Sequence, residues 1–304
     1  MPLKQYGSRS AASLVELIFG ILVSMVVLSL AVSHVVRYRE NHDAVSAILG
    51  IRAQLRDGSD ILLGDIRGSS PAGDSLLVVS DTAVEFYSAI GSSTVCASPA
   101  PNRIVLPPDT ITGGRILSSW VATPEAGDEL LVFGDSASSP MAWRRARITS
   151  FRSVVTAAAC PPSAGLLSAT EIAGSSRSYE VSVDPAVSLD VRRGAPVRMV
   201  RLVRYSIYRG GDGKWYLGYR RCSGGCAAVQ PVSGPYQISA GPPMSFRYFT
   251  RTGAAFGGSG PTAEVARIEV VSRVASTRSV RLPGGVRETI RDSALTTVTL
   301  RNRW

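Results

Sequence analysis

The sequence predicts an α+β protein: one long N-terminal helix followed by an antiparallel, β-rich domain. Three observations predict it. The stretch Leu17 to Val36 holds no charged residue for 20 positions. At 1.5 Å per residue it spans about 30 Å, one bilayer core. Beyond it, Val45, Ile48, Leu49 and Leu55 recur at helical spacing among polar residues, an apolar stripe on a helix that leaves the membrane. From Gly68 onward the texture changes to short β-like runs between Gly, Pro and Ser clusters.

The helix is expected over 12–67, with 14–36 crossing the membrane; Gly58 and then Gly64 are its first plausible breakers. The β-rich domain is expected over 68–304. Strands are predicted at Ser75–Ser80, Ala83–Ser88, Arg103–Leu106, Glu129–Phe133 and Met141–Thr149. Later ones fall at Val197–Tyr208, Trp215–Arg220, Met244–Thr250, Glu264–Val274 and Ala294–Leu300. In Ala266–Val274, apolar positions alternate with Arg267, Glu269 and Arg273, the pattern of a half-buried antiparallel strand. Gly210-Gly211-Asp212-Gly213 reads as a hairpin loop. Pro161-Pro162-Ser163-Ala164-Gly165 marks a loop and a seam between two sheets.

Charge and cysteines bound the setting. The net charge is +10, and +8 without Lys4 and Arg9. Nearly all of it is arginine, since the lysines are Lys4 and Lys214. Such a surface suits nucleic acid, anionic lipid or an acidic partner, although no recognised nucleic-acid motif accompanies it. A short basic start followed by an apolar span places the N-terminus in the cytoplasm and the large domain outside it. Four cysteines in an exported domain point to disulfides. Cys222 and Cys226 bracket a flexible Ser223-Gly224-Gly225 loop that closes a small ring, which leaves Cys96 for Cys160; three pairings are formally possible. With one close pair and no second, a zinc knuckle is the weaker reading, and no metal or cofactor is assigned.

Catalysis finds little support. The only histidines, His34 and His42, lie in or beside the membrane helix, which excludes Ser-His-Asp and Cys-His sites from the domain. Lys214 sits beside a glycine-rich turn, and no spacing singles out a carboxylate pair. Arg144-Arg145-Ala146-Arg147 has the composition of a phosphate grip but reads as a solvated strand face. No run of closely spaced carboxylates suggests calcium.

One residue in the apolar segment stands out. Glu16 lies just inside it, in Ala12-Ser13-Leu14-Val15-Glu16. A carboxylate there is costly and calls for a cationic partner. This stretch, behind the leader Met1 to Ala11, resembles the processing site of type IV prepilins and pseudopilins. In that family a dedicated prepilin peptidase cuts before the apolar run. The new N-terminus is usually Phe or Met, then Thr or Ser, Leu, an aliphatic residue and Glu. Residues 13–16 match the second to fifth of these; Ala11 and Ala12 stand where Gly and Phe are usual. A cut after Gly7 would leave Glu16 ninth, so the resemblance implies cleavage between Ala11 and Ala12. It further implies that Glu16 pairs with the freed amine of Ala12 on a neighbouring subunit, fixing the register of stacked helices. The order of Val203–Arg209, Phe246–Phe249, Val265–Val270 and Val298–Asn302, with Asp65-Ile66-Arg67 after the helix, resembles PilW-type minor pilins and J-type pseudopilins.

The resemblance implies a pilin-like fold and a minor subunit assembled into a type IV pilus or type II secretion pseudopilus, and the size of the domain after Gly68 favours a place at or near the tip. Its partners would be the prepilin peptidase, other minor and major pilins or pseudopilins, an assembly-platform protein and the inner membrane. The domain would sit in the periplasm. Two other readings of the N-terminus compete. One is an ordinary secretory signal cut after Ala31-Val32-Ser33. The other is an uncut anchor. Either would carry a binding module whose basic face meets DNA or polysaccharide.

Overall fold

The computed structural model describes residues 14–69, 76–109, 116–136, 139–160, 162, 165–172, 177–187, 191–236, 238, 241–258, 261–281 and 286–300. The chain is α+β, with one long helix and a large antiparallel sheet. Helix α1 runs Leu14–Gly68 and continues through both Gly58 and Gly64, correcting their reading as breakers. An isolated helical glycine costs only about 1 kcal/mol against alanine, which packing readily offsets. Among the described residues, short α-helices follow at α2 (Thr156–Ala159) and α3 (Ala169–Ile172).

Among the described residues, sixteen strands follow α1. The first eight are β1 (Leu76–Val79), β2 (Ala83–Thr94), β3 (Ala97–Ala100), β4 (Arg103–Leu106), β5 (Ser119–Trp120), β6 (Glu129–Ser136), β7 (Ser139–Val155) and β8 (Arg177–Asp184). The rest are β9 (Pro196–Arg209), β10 (Trp215–Arg221), β11 (Gln230–Tyr236), β12 (Met244–Thr250), β13 (Val265–Ala275), β14 (Val280–Arg281), β15 (Arg287–Glu288) and β16 (Arg291–Thr299).

The main sheet has the order β1-β2-β9-β6-β7-β8-β4-β3, with β10 and β11 extending from β9, and β5 from β2. A second sheet is β12-β13-β16, and β14 pairs β15. The seam predicted at 161–165 is not a boundary between sheets, because β7 and β8 on either side pair with each other from Arg147↔Asp184 to Val155↔Arg177. The change of sheet falls later, between β11 and β12. The predicted hairpin at Gly210–Gly213 is present: β9 and β10 pair from Trp215↔Arg209 to Arg221↔Val203.

Two compact units make up the chain, Met1–Arg52 with Ser276–Arg291, and Ala53–Ala275 with Asp292–Trp304. In the first, Arg281 meets Glu40 at 3.1 Å, and Ser276 and Ile290 exchange two hydrogen bonds beside the β14–β15 pair. The second unit carries the main core. Ile90 of β2, Ile104 and Leu106 of β4, Leu130 and Val132 of β6, Val181 of β8 and Met199 of β9 share one buried cluster. Strands β2 and β4 lie far apart in the sheet order, so the sheet curls until they meet. The Val95 N–H donates to Ala195 and the Cys96 N–H to Val105, closing that curl. Each fully buried aliphatic side chain there contributes about 1.5–3 kcal/mol.

The edge strand β11 reads Gln-Pro-Val-Ser-Gly-Pro-Tyr, so Pro231 and Pro235 remove two of its backbone donors.

Candidate functional site

Of the predicted assembly residues, Glu16 lies on the first part of α1. From Leu14 to Val36 the large apolar side chains are 47–74% exposed, with no protein surface covering them. The segment is long and apolar enough to cross a membrane. Two of its serines bond back to the helix. Ser24 Oγ donates to the Gly20 carbonyl at 2.7 Å, and Ser33 Oγ to the Leu30 carbonyl at 2.8 Å. Glu16 falls in the first turn of the described helix, where the helix dipole favours a carboxylate. Ala11 and Ala12, the predicted cleavage site, lie outside the described residues.

The second part of α1 is of the opposite kind. Leu55, Leu62, Leu63 and Ile66 are buried, and the buried face also takes in Ala44 and Ile51. The stripe read from sequence is corrected in part: Leu55 is buried, Val45 and Leu49 are exposed, and the buried apolar positions are 44, 51, 55, 62, 63 and 66. Polar contacts hold this part to the sheet. Gln54 Nε2 donates to the Pro235 carbonyl at 3.0 Å, and Tyr205 Oη donates to Asp65 Oδ2 at 2.5 Å. Burial raises the Asp65 carboxyl above its ordinary range, and the Tyr205 hydrogen bond partly offsets the rise. Burial and the Asp65 bond together raise the Tyr205 phenol strongly. Gly58 faces Tyr236, whose hydroxyl occupies the place a Cβ would take. Tyr236 is buried and its hydroxyl donates to Ser233 Oγ at 2.7 Å. Gly58 is thus a close-approach residue rather than a helix end.

All four cysteines are paired. Cys96 is joined to Cys160 and Cys222 to Cys226. The first bridge is fully buried and its partners are 64 positions apart. In the chain-entropy picture it stabilises by about 4 kcal/mol, against about 2 kcal/mol for the short ring.

Beside that ring lies a polar cluster that the sequence did not announce. Arg201 is buried in β9 and grips Asp128 with both arms, Nε to Oδ1 at 2.8 Å and Nη2 to Oδ2 at 2.6 Å. Its Nη2 also donates to the Thr123 carbonyl at 2.9 Å. The Glu125 N–H and Ser223 Oγ donate to Asp128 at 2.9 and 3.1 Å, and Arg221 closes on Glu125 at 3.1 Å. The Asp128 hydrogen bonds, the largest effect, raise the Arg201 pKa, with burial opposing. The cluster borders a cavity of about 260 Å³ lined by Tyr219, Arg221 and Ser223 among others. Removing either member of the buried pair strands the other and costs about 3–5 kcal/mol. The one sequence signal was an arginine among the apolar residues of Val200-Arg201-Leu202.

In the arginine run of β7, one member is engaged within the sheet. Arg145 pairs with Glu129 at 3.1 Å and stacks over Tyr87 at 4.5 Å. Tyr87 Oη donates to Glu129 Oε1 at 2.9 Å; burial and this bond push its phenol up to about 12. Arg198 covers Trp143 at 5.1 Å. Lys214 lies 3.8 Å from Asp212 in the hairpin loop, exposed as expected. No protein-family model, curated protein or solved structure matches the chain.

Proposed function

We propose that the chain is a minor pilin or pseudopilin subunit, cut by a prepilin peptidase between Ala11 and Ala12 and assembled into a type IV pilus or type II secretion pseudopilus. Its work is assembly, not catalysis. The observation that carries the reading is the first part of α1, an uncovered apolar helix with a single carboxylate, Glu16, in its first turn. An apolar surface of that length calls for lipid or for other apolar helices. A lone carboxylate within it calls for a cation, and the freed amine of a neighbouring Ala12 supplies one. The pilin-like fold and the periplasmic placement of the domain belong to the same proposal. A bulky domain behind a slim helix would crowd a uniformly repeated shaft and favours a place near the tip.

Mass spectrometry of the mature chain from native membranes tests it. A start at Ala12 is expected, with Glu16→Ala lowering incorporation into filaments. A start at His34, or an intact Met1, overturns the proposal in favour of a secreted or anchored binding module.

A further inference from the structure

The short disulfide ring lies next to a carboxylate far away in sequence. Sulfurs of Cys222 and Cys226 and a carboxylate oxygen of Glu85 all lie within 4.8 Å of one another. Strand pairing sets this up. Glu85 on β2 stands opposite Arg204 on β9, which stands opposite Arg220 on β10. Cys222 follows β10 directly, and its N–H donates to the Leu202 carbonyl, two positions before Arg204. Tyr87 pairs with Leu202, so Cys222 falls on the face that carries Glu85 and Tyr87. The Glu85 side chain is 13% exposed and lies 3.8 Å from Arg204. Cys222 is buried, whereas Cys226 is exposed.

We propose that these three residues form a redox-gated site for a thiophilic divalent cation such as zinc, closed while the disulfide stands and opened by its reduction. The two bridges differ in access. Cys96 and Cys160 are wholly enclosed, whereas the Cys226 sulfur belongs to an exposed residue. A dithiol reductant of the thioredoxin class therefore attacks the short ring first. The reductant's two thiols become its own disulfide, and their two electrons and two protons leave Cys222 and Cys226 as thiols. Cation binding then releases both protons to solvent as the two thiolates coordinate. Zinc–sulfur bonds of about 2.3 Å place two tetrahedral sulfurs about 3.8 Å apart, within reach of a ring held by Ser223-Gly224-Gly225. Glu85 supplies the third ligand and water the fourth, an open zinc position.

Cobalt(II) titration of the full chain in detergent, before and after mild dithiol reduction, tests the site. Mass spectrometry of alkylated protein first identifies which bridge has opened. The expected result is one equivalent bound only after reduction of Cys222–Cys226, with near-ultraviolet thiolate-to-cobalt absorption. Zinc should displace the cobalt. Cys226→Ser should abolish the band, and Glu85→Gln should weaken binding at least about tenfold with the circular dichroism unchanged. If Glu85→Gln does not fold, alkylation of Cys226 in the native sequence provides the second arm, and it too should abolish binding. Equal binding by oxidised protein, no band after verified reduction, or binding that survives Cys226 blockade overturns the proposal.

Discussion

The two parts of α1 differ in apolar content and have opposite fates. Between Leu14 and Val36 apolar side chains cover the helix on every side, and all stand exposed. Past Arg52 they narrow to one face, and Leu55, Leu62, Leu63 and Ile66 are buried. Where hydrophobicity encircles a helix, the helix is made for lipid or for other helices; where it is confined to a stripe, it is made for its own domain. Substitutions separate the two roles because they draw on different solvents.

The largest contrast is in side-chain truncation. Leu62→Ala should lower domain stability by about 2–5 kcal/mol, while Leu22→Ala leaves it within about 0.5 kcal/mol. Urea unfolding of the full chain in detergent, followed by tryptophan fluorescence, reads both. Equal effects would erase the distinction between the two parts. Next come the glycines. Gly58→Ala should cost about 1–3 kcal/mol, because Tyr236 has to move, although alanine is the better helix former. Gly64→Ala meets nothing within 4 Å and should stabilise by up to about 1 kcal/mol. Thermal melts of the two variants should therefore shift in opposite directions.

A smaller effect is expected from pH. The Tyr205 and Tyr87 phenols are raised in the folded state, so their contribution is complete below the ordinary tyrosine value near 10 and is lost as pH climbs above it. Melting temperature should hold from pH 7 to about pH 9 and fall beyond about pH 10. Tyr205→Phe should blunt that fall. Asp65 acts in the other range: its raised carboxyl makes ionisation unfavourable in the fold, so stability declines as pH rises through and above the ordinary aspartate value. Asp65→Asn, which still accepts from Tyr205, should match or exceed the native protein at pH 7 by about 1 kcal/mol. The smallest change in domain stability belongs to Glu16→Ala, within about 0.5 kcal/mol. Under the proposed function its consequence is instead expected in membrane extraction and filament incorporation, the sharpest division between the two parts of one helix.

Legibility followed locality. The span, the β texture and strands such as Arg103–Leu106 and Met244–Thr250 could be read directly, because alternation and turn residues are local signals. Strands β3 and β11 passed unseen because Ala97–Ala100 and Gln230–Tyr236 carry proline or little apolar content, and their pairing comes from neighbours. The Val45–Leu49 stripe was misplaced because Ala44 is small and Ile51 falls off the chosen spacing, although both are buried. Of the candidate sites, Glu16 and the cysteines were visible as residues. The partnerships Arg201–Asp128, Tyr205–Asp65 and Glu85 beside Cys222 join positions 73 or more apart and exist only once the sheet has formed.

The prolines of β11 carry a consequence for a protein whose proposed task is to associate. A bare sheet margin recruits any passing strand, and subunits crowded together in a membrane would meet margin to margin many times before meeting correctly. By withholding two donors along that border, Pro231 and Pro235 disfavour amyloid-like stacking there. In the proposed assembly, association would thereby be steered away from this border and towards surfaces whose side chains can discriminate among partners.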